Sequence, residues 1–299
     1  MAALRKVVIC GVGLIGGSFA LALKAAGQAG GAPAPQIVGL DRDAEALRLA
    51  LTLGVIDRAD SDIGAALRDA DLVMLAVPVA QMEAVLREMA PHLAAATLIS
   101  DAGSTKQDVI AAAQRCLGAK AAQFIPGHPI AGAEKSGVAA ANAELYRGKR
   151  VVLTPLAENR PADIERLSAA WQACGAVVGQ LSPLVHDQTF AAVSHLPHLL
   201  AYALVHELAG RADSERLFSF AAGGFKDFTR IASSHPEMWR DICVANRAPL
   251  IDELDAFLAR LLRIRVMLAA ADAPALESMF AAARVARDTW LEAMEPPGE

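Results

Sequence analysis

The sequence predicts an α/β fold: a doubly wound parallel sheet in residues 1–181, followed by an all-α domain in residues 182–299. Three observations carry this. Before residue 181, short apolar runs alternate with segments of helical period. Strands apolar along their whole length, each followed by a helix, belong to a parallel sheet covered on both faces. The first run leads directly into a glycine-rich loop that opens a helix. Beyond LSP (181–183) no run reads as a strand, and apolar residues recur with helical period instead.

The strand runs are KVVICG, QIVGLD, DLVMLAVP, TLISDAG, AQFIPG, KRVVLTP and GAVVGQL. Helical segments lie between them at 14–26, 44–53, 79–93, 105–117 and 161–174. GQAGGAPAPQ (27–36), rich in Gly and Pro, reads as a surface loop. The second half reads as helices at 185–209, 213–222, 236–271 with breaks, and 273–294. Their apolar positions cover broad faces, as in LIDELDAFLARLLRIRVMLAAA, more than one copy can hide alone. A helical dimerisation domain, and with it a homodimer, is the expectation.

Composition narrows the function classes. Hydrophobic residues make up 54% and aromatics 5%, so the core is aliphatic and alanine-rich, which favours helices over a sandwich. A net charge of −5 argues against a nucleic-acid surface. No apolar run reaches the roughly 18 residues of a membrane span, and MAALRKVVIC enters the glycine loop without the apolar stretch of a signal peptide. Cys10, Cys116, Cys174 and Cys243 are scattered and read as buried thiols in a reducing, cytoplasmic compartment. The expected partner is a small-molecule substrate.

GVGLIGGS (11–18) sets Gly11, Gly13 and Gly16 in a G-x-G-x-x-G pattern between a strand and a helix, the context of a Rossmann-type site. The first glycine allows the tight turn, the second lets a pyrophosphate approach the backbone, and the third lets helix pack on strand. With Leu14 and Ile15, these residues open a helix whose N–H groups face the phosphates. The next strand ends at Asp41, whose carboxylate suits a ribose diol and repels a 2′-phosphate, although Arg42 softens that preference. NAD is therefore expected over NADP. The bland alternative makes the glycines an ordinary turn and Asp41 a helix cap. Val77 and Pro78 (in AVPV) and Ser104 (in SDAGSTK) fall at carboxyl ends of strands, where such sheets place ligands. Ser104 or Thr105 also suits the cap of the next helix.

FIPGHPIAGAEKSG (124–137) belongs to the same rim. Pro126 and Pro129 stiffen the chain around Gly127–His128 and hold the imidazole near the nicotinamide edge; a hydrogen-bonded loop histidine is the alternative. In VSHLPHLL (193–200), His195 and His198 lie three apart on one helix face. Pro197 cannot donate to the carbonyl of Val193, so a kink is expected there. The pair reads as substrate-facing, structural or metal-binding, although no third metal ligand sits at helical spacing. In AAGGFKDFTRIASSHPEMW (221–239), Gly223–Gly224 breaks a helix ahead of Lys226, Asp227 and Arg230. Arg230 suits a bidentate carboxylate clamp, and a solvated charge run is the alternative.

Taken together, GVGLIGGS, SDAGSTK, GHPIAGAEKSG, SHLPH and GGFKDFTRIA resemble the prephenate/arogenate dehydrogenase family over about residues 5–250. GHPIAGAEKSG and SHLPH are the specific motifs; the helices after about 250 are generic. The resemblance implies NAD-dependent oxidative decarboxylation of prephenate to 4-hydroxyphenylpyruvate, or of arogenate to tyrosine. It makes His128 the acceptor for the ring C4 hydroxyl and Ser104 the residue that orients His128 and contacts the cofactor. It makes Arg230 the holder of a substrate carboxylate, with His198 lining that pocket. Glu134, Asp227 and Trp239 match positions that shape the pocket entrance. Lys226 departs mildly from the family's frequent arginine. The competing readings are a β-hydroxy acid dehydrogenase of similar architecture, which would use a lysine on the helical domain, and a non-catalytic NAD-binding sensor.

Overall fold

The computed structural model describes residues 4–29, 31, 33–133 and 135–294. The chain forms two compact units, Met1–Pro249 and Leu250–Glu299.

The first unit opens with β1 (Lys6–Cys10), α1 (Leu14–Ala29), β2 (Gln36–Leu40), α2 (Ala44–Thr52), β3 (Arg58–Ala59), α3 (Ile63–Leu67), β4 (Leu72–Leu75), α4 (Val79–Met89), β5 (Leu98–Asp101), α5 (Gln107–Leu117) and β6 (Phe124–Ile125). These strands form one parallel sheet in the order β3-β2-β1-β4-β5-β6. This is the doubly wound order, whose ligand crevice lies at the carboxyl ends of β1 and β4. The strands are apolar throughout because alternate residues enter different cores. Val7 and Ile9 pack with Phe19 of α1, while Val8 and Cys10 pack with Met82 and Leu86 of α4.

Two expected strands lie elsewhere. A second sheet contains β7 (Gly127–Pro129), β8 (Arg150–Leu153) and β9 (Val177–Gln180), with α6 (Pro161–Ala173) between the last two. KRVVLTP and GAVVGQL thus do not extend the parallel sheet. β8 runs antiparallel to β7, the stretch expected to be a loop, and parallel to β9. β3 is an unexpected two-residue strand, too short to leave a periodic signal. Helix α1 runs to Ala29, three residues into the expected Gly/Pro loop.

The rest of the unit is helical: α7 (Pro183–Phe190), a π turn at Ala191–His195, α8 (Leu196–Ala209), α9 (Ser214–Ser219), α10 (Gly223–Thr229), a 3-10 turn at Arg230–Ser233, and α11 (Pro236–Ala245). The expected kink before Pro197 takes the form of that π turn, one residue wider than α-helical spacing. α12 (Arg247–Ala269) and α13 (Ala273–Met294) follow. Within Leu250–Glu299, large apolar side chains are exposed, among them Leu262 at 63%, Val266 at 64%, Phe280 at 60% and Trp290 at 57%. A water-facing surface of this kind marks an interaction face. Among the described residues, no helix is long and apolar enough to cross a membrane.

Candidate active site

The glycine loop lies where the sheet order reverses. Gly11 N–H donates to the Leu40 carbonyl at 2.8 Å, and its φ of +92° suits only glycine without strain. A Cβ at Gly11 would sit 2.6 Å from the Ala76 oxygen, and one at Gly16 2.2 Å from the Gly11 oxygen. A Cβ at Gly13 would meet nothing within 4 Å, so this position opens outward. The Ile15 carbonyl accepts from the Tyr146 hydroxyl at 2.6 Å, tying the first turn of α1 down, with Leu14 beside it half-buried. Asp41 turns its carboxylate towards the loop: Oδ2 accepts from Val12 N at 2.8 Å and Oδ1 from Asp43 N at 3.0 Å. Asp41 therefore does not cap α2; Asp43 does. Arg42 is exposed, Val77 is half-buried, and exposed Pro78 starts α4. These residues fit a dinucleotide: a backbone cradle closed at Gly11 and Gly16, open at Gly13, with a carboxylate at its ribose end.

The second half of the site lies at β5–α5 and β7. Asp101 ends β5, and Lys106 precedes α5; both side chains are fully buried. Lys106 Nζ hydrogen bonds Asp101 Oδ2 and, at 2.6 Å, the Gly127 carbonyl. Asp101 Oδ1 accepts from Gly127 N at 3.1 Å. A buried ion pair needs its remaining hydrogen bonds satisfied, and here that requirement clamps the residue before His128. On the other side, His128 pairs with Val152 of β8. The stiffness expected of Pro126 and Pro129 thus comes from a strand ladder and a buried salt bridge as well.

Neither Ser104 nor Thr105 caps α5. Asp187 of α7 does so from across the unit, its Oδ1 accepting from Lys106 N at 2.8 Å and its Oδ2 from Gln107 N at 2.9 Å. The same Oδ1 lies 2.8 Å from His186 Nδ1, and His186 Nε2 lies 2.9 Å from His128 Nδ1. Phe190, one turn on, packs against both rings, with centroids at 4.7 Å from His128 and 4.5 Å from His186. The His128 ring is thus hydrogen-bonded to His186, a residue none of the sequence motifs singles out. Half-buried Ser104 makes no hydrogen bond to a described residue.

Electrostatics keep these rings neutral. Burial holds His128 well below the usual histidine range, helped by the charge of Lys106. Burial also lowers His186, against the pull of Asp187. Burial works to raise Asp187, but hydrogen bonds from His186 and the N–H groups of Gln107 and Lys106 outweigh it and hold the carboxyl below its ordinary value. A carboxylate at a helix N-terminus gains further from the helix dipole.

The helical residues close the group. His195, on the π turn, is buried, with its Nδ1 2.9 Å from Asn246 Nδ2, and burial pushes it down to about 4. Asn246 Nδ2 also donates to the Asp187 carbonyl at 2.8 Å. His198 donates from Nδ1 to the Ser194 carbonyl at 2.9 Å and stacks on buried Trp239. Burial lowers His198, and the nearby positive charge of Arg230 lowers it further, which brings Arg230 into the same neighbourhood. Asp227 is exposed on α10, and Glu134 lies outside the described residues. His186, Asp187, Lys106 and Asn246 escaped the sequence reading. The available signal was LVHDQTF (184–190), which places a His–Asp pair on a helix that must bury a face.

A family model described as prephenate dehydrogenase, nucleotide-binding domain, matches residues 19–180, and one described as prephenate dehydrogenase, dimerization domain, matches residues 182–282. A prephenate dehydrogenase of Bacillus subtilis is 40% identical over 288 residues, covering 94% of this chain and 75% of that protein. The chain belongs to the prephenate dehydrogenase family. A second member, a cyclohexadienyl dehydrogenase of Zymomonas mobilis, is 36% identical over 289 residues, 96% of each chain. The family's A. aeolicus prephenate dehydrogenase, solved with hydroxyphenyl propionate and NAD+, superimposes with a TM-score of 0.89 at 34% identity, covering 96% of this chain and 99% of that one. The nucleotide-binding match begins at residue 19, so the glycine loop of this member rests on its own geometry.

Proposed function

We propose that the protein catalyses the NAD-dependent oxidative decarboxylation of prephenate, of arogenate, or of both, to 4-hydroxyphenylpyruvate or tyrosine. The observation that carries this is the placement of His128. It is a neutral imidazole held by a strand ladder, next to the carboxyl edge of the glycine-loop sheet, with Nδ1 engaged by His186. Family membership supplies the reaction class, and the NAD+ held by the A. aeolicus relative supports the cofactor.

When bound, NAD+ would supply the hydride acceptor for ring C4 of the substrate. As hydride leaves, the C4 hydroxyl becomes strongly acidic, and His128 accepts its proton at Nε2. Departure of CO2 from C1 returns a bonding electron pair to the ring, which becomes aromatic. The phenolate oxygen then recovers the proton from His128. The chain's remaining task is positioning, since reacting atoms must be held about 3–3.5 Å apart. Arg230 holds a substrate carboxylate by its planar fork, with His198 braced on Trp239 beside it. Ser104 and His195 line the reacting end and Asp227 the entrance, and the family motif gives Glu134 the same task. Gly11, Gly13, Leu14, Ile15 and Gly16 would hold the pyrophosphate, Asp41 the adenosine ribose with Arg42 beside it, and Val77 and Pro78 would flank the cofactor. We assign the division of labour to residue 181, just after β9, and the exposed apolar residues of α12 and α13 to a homodimer. The four unpaired cysteines fit a cytoplasmic enzyme.

The test is NADH formation by the purified protein with prephenate and arogenate in parallel. Turnover of either is expected, and NAD+ binding without turnover of either overturns the proposal. His128→Asn should lower kcat about 10²–10⁴-fold, with little change in KM.

A further inference from the structure

The contacts of His128 determine which of its nitrogens carries the proton. The Asp187 carboxylate can only accept, so His186 Nδ1 must donate to it across 2.8 Å. His186 is fully buried and neutral, so its other nitrogen, Nε2, holds a lone pair. The 2.9 Å contact between His186 Nε2 and His128 Nδ1 then has one direction: His128 Nδ1–H donates. A neutral His128 is left with its lone pair on Nε2. We infer that His186 and Asp187 are positioning residues that lock His128 in its Nδ1–H tautomer and so make Nε2 the proton acceptor. This rests on the reaction proposed above.

The relay is anchored at its far end. Asp187 cannot rotate without abandoning the Lys106 and Gln107 N–H groups at the start of α5, and its own carbonyl is held by Asn246. Phe190 covers both imidazoles. The titratable groups that face His128 are His186 from α7, Lys106 from the loop before α5 and His195 from the π turn. All three favour a neutral ring, and Asp101 of β5 is paired with Lys106.

The other two histidines have different anchors. His198 donates from Nδ1 to the Ser194 carbonyl. Asn246 must turn its NH2 to the Asp187 carbonyl, so it also donates to His195 Nδ1, and His195 carries its proton on Nε2. Among the three, only His128 takes its tautomer through a second imidazole. Reversing the first donor in the relay therefore reverses every proton along it. An amide at position 187 that places its NH2 where Oδ1 stands would face the Lys106 N–H and would donate to His186 Nδ1. His186 would then donate from Nε2 to His128 Nδ1, leaving the proton of His128 on Nε2.

The experiment has two readouts. In the full-length protein labelled with 15N-histidine, His128 (assigned by its loss in His128→Asn) should show a protonated Nδ1 and an unprotonated Nε2. Asp187→Asn should exchange the two signals. With prephenate or arogenate, whichever the wild type turns over, Asp187→Asn should lose kcat by about 10²–10⁴-fold, with each KM within about twofold. If Asp187→Asn fails to fold, His186→Gln, which keeps an acceptor for His128, should retain far more kcat than His186→Leu. A wild-type His128 protonated on Nε2 overturns the inference, as does undiminished kcat in Asp187→Asn or equal kcat in the two His186 variants. The expected signals in a wild type that turns over neither substrate would uphold the lock and overturn the reaction it serves.

Discussion

His198 and Trp239 stack face to face, with ring centroids 3.5 Å apart and planes inclined by 17°. One ring comes from α8 and the other from α11, so the stack fixes the spacing of two helices at the pocket. The second anchor of His198 is the Ser194 carbonyl exposed by the π turn. Such a stack is worth about 0.5–1.5 kcal/mol beyond burial. Trp239→Leu should therefore raise substrate KM about two- to tenfold and leave kcat nearly unchanged. Trp239→Phe should stay near wild type, because the buried indole N–H has no acceptor among the described residues. Steady-state kinetics of the pair decide it: equal KM values in both variants would remove the stack from substrate binding.

Lys106 is the strongest stability prediction. Its ammonium has no exposed surface and meets Asp101 and the Gly127 carbonyl. Removing one member of a buried pair costs about 3–5 kcal/mol, because the other charge stays buried. Lys106→Met should lower the melting temperature by on the order of 10 °C and loosen the strand that carries His128. Urea unfolding and kcat of the same variant should move together. A variant as stable as wild type would show that the Lys106–Asp101 pair does not hold this part of the fold together.

How far the sequence spoke for itself follows from the range of each interaction. The glycine loop and Asp41 rest on local spacing, and the loop lies between strand and helix as that spacing implies. His195 and His198 lie three apart, but His195 sits on the π turn and His198 beyond it, and each has its own anchor. β7 was hidden because a three-residue strand that follows one proline and ends on another has no period to read. The relay was hidden because His128 and His186 are 58 residues apart, and their meeting depends on how α7 lies across α5. Thr105 looked like a cap because a hydroxyl stood at the right offset. A carboxylate from another element took the position instead, as tertiary contacts override local propensity. KRVVLTP read as one more parallel strand because apolar runs do not say which sheet they join.

Asp41 should decide the cofactor. Its Oδ2 also holds the Val12 N–H of the glycine loop, so its loss affects both the ribose end and the loop. A hydrogen bond to a charged group contributes about 1.5–3 kcal/mol. Asp41→Asn should raise KM for NAD+ by about 10- to 100-fold and raise relative use of NADP+, since the repulsion of a 2′-phosphate is gone and Arg42 remains. Initial rates with both cofactors test this; an unchanged ratio would mean that Asp41 does not face the ribose.

Acid should weaken this protein before it reaches the carboxylates. Burial lowers His128, His186 and His195 below their ordinary value of 6.5, His195 to about 4. The unfolded chain binds protons that the folded rings refuse, so stability rises with pH between folded and ordinary values. Above pH 6.5 these groups contribute no slope. From there down to about pH 4, His195 alone costs up to about 1.4 kcal/mol per pH unit. Melting temperatures should thus be level from pH 8 to 7 and fall steadily from 6.5 to 5, and a flat profile across that lower range would contradict neutral burial. Activity should follow a separate course. The base must be unprotonated in the free enzyme, so the acid limb of kcat/KM should lie well below pH 6.5. His128→Asn should abolish that limb while keeping the part of the stability slope that belongs to His186 and His195.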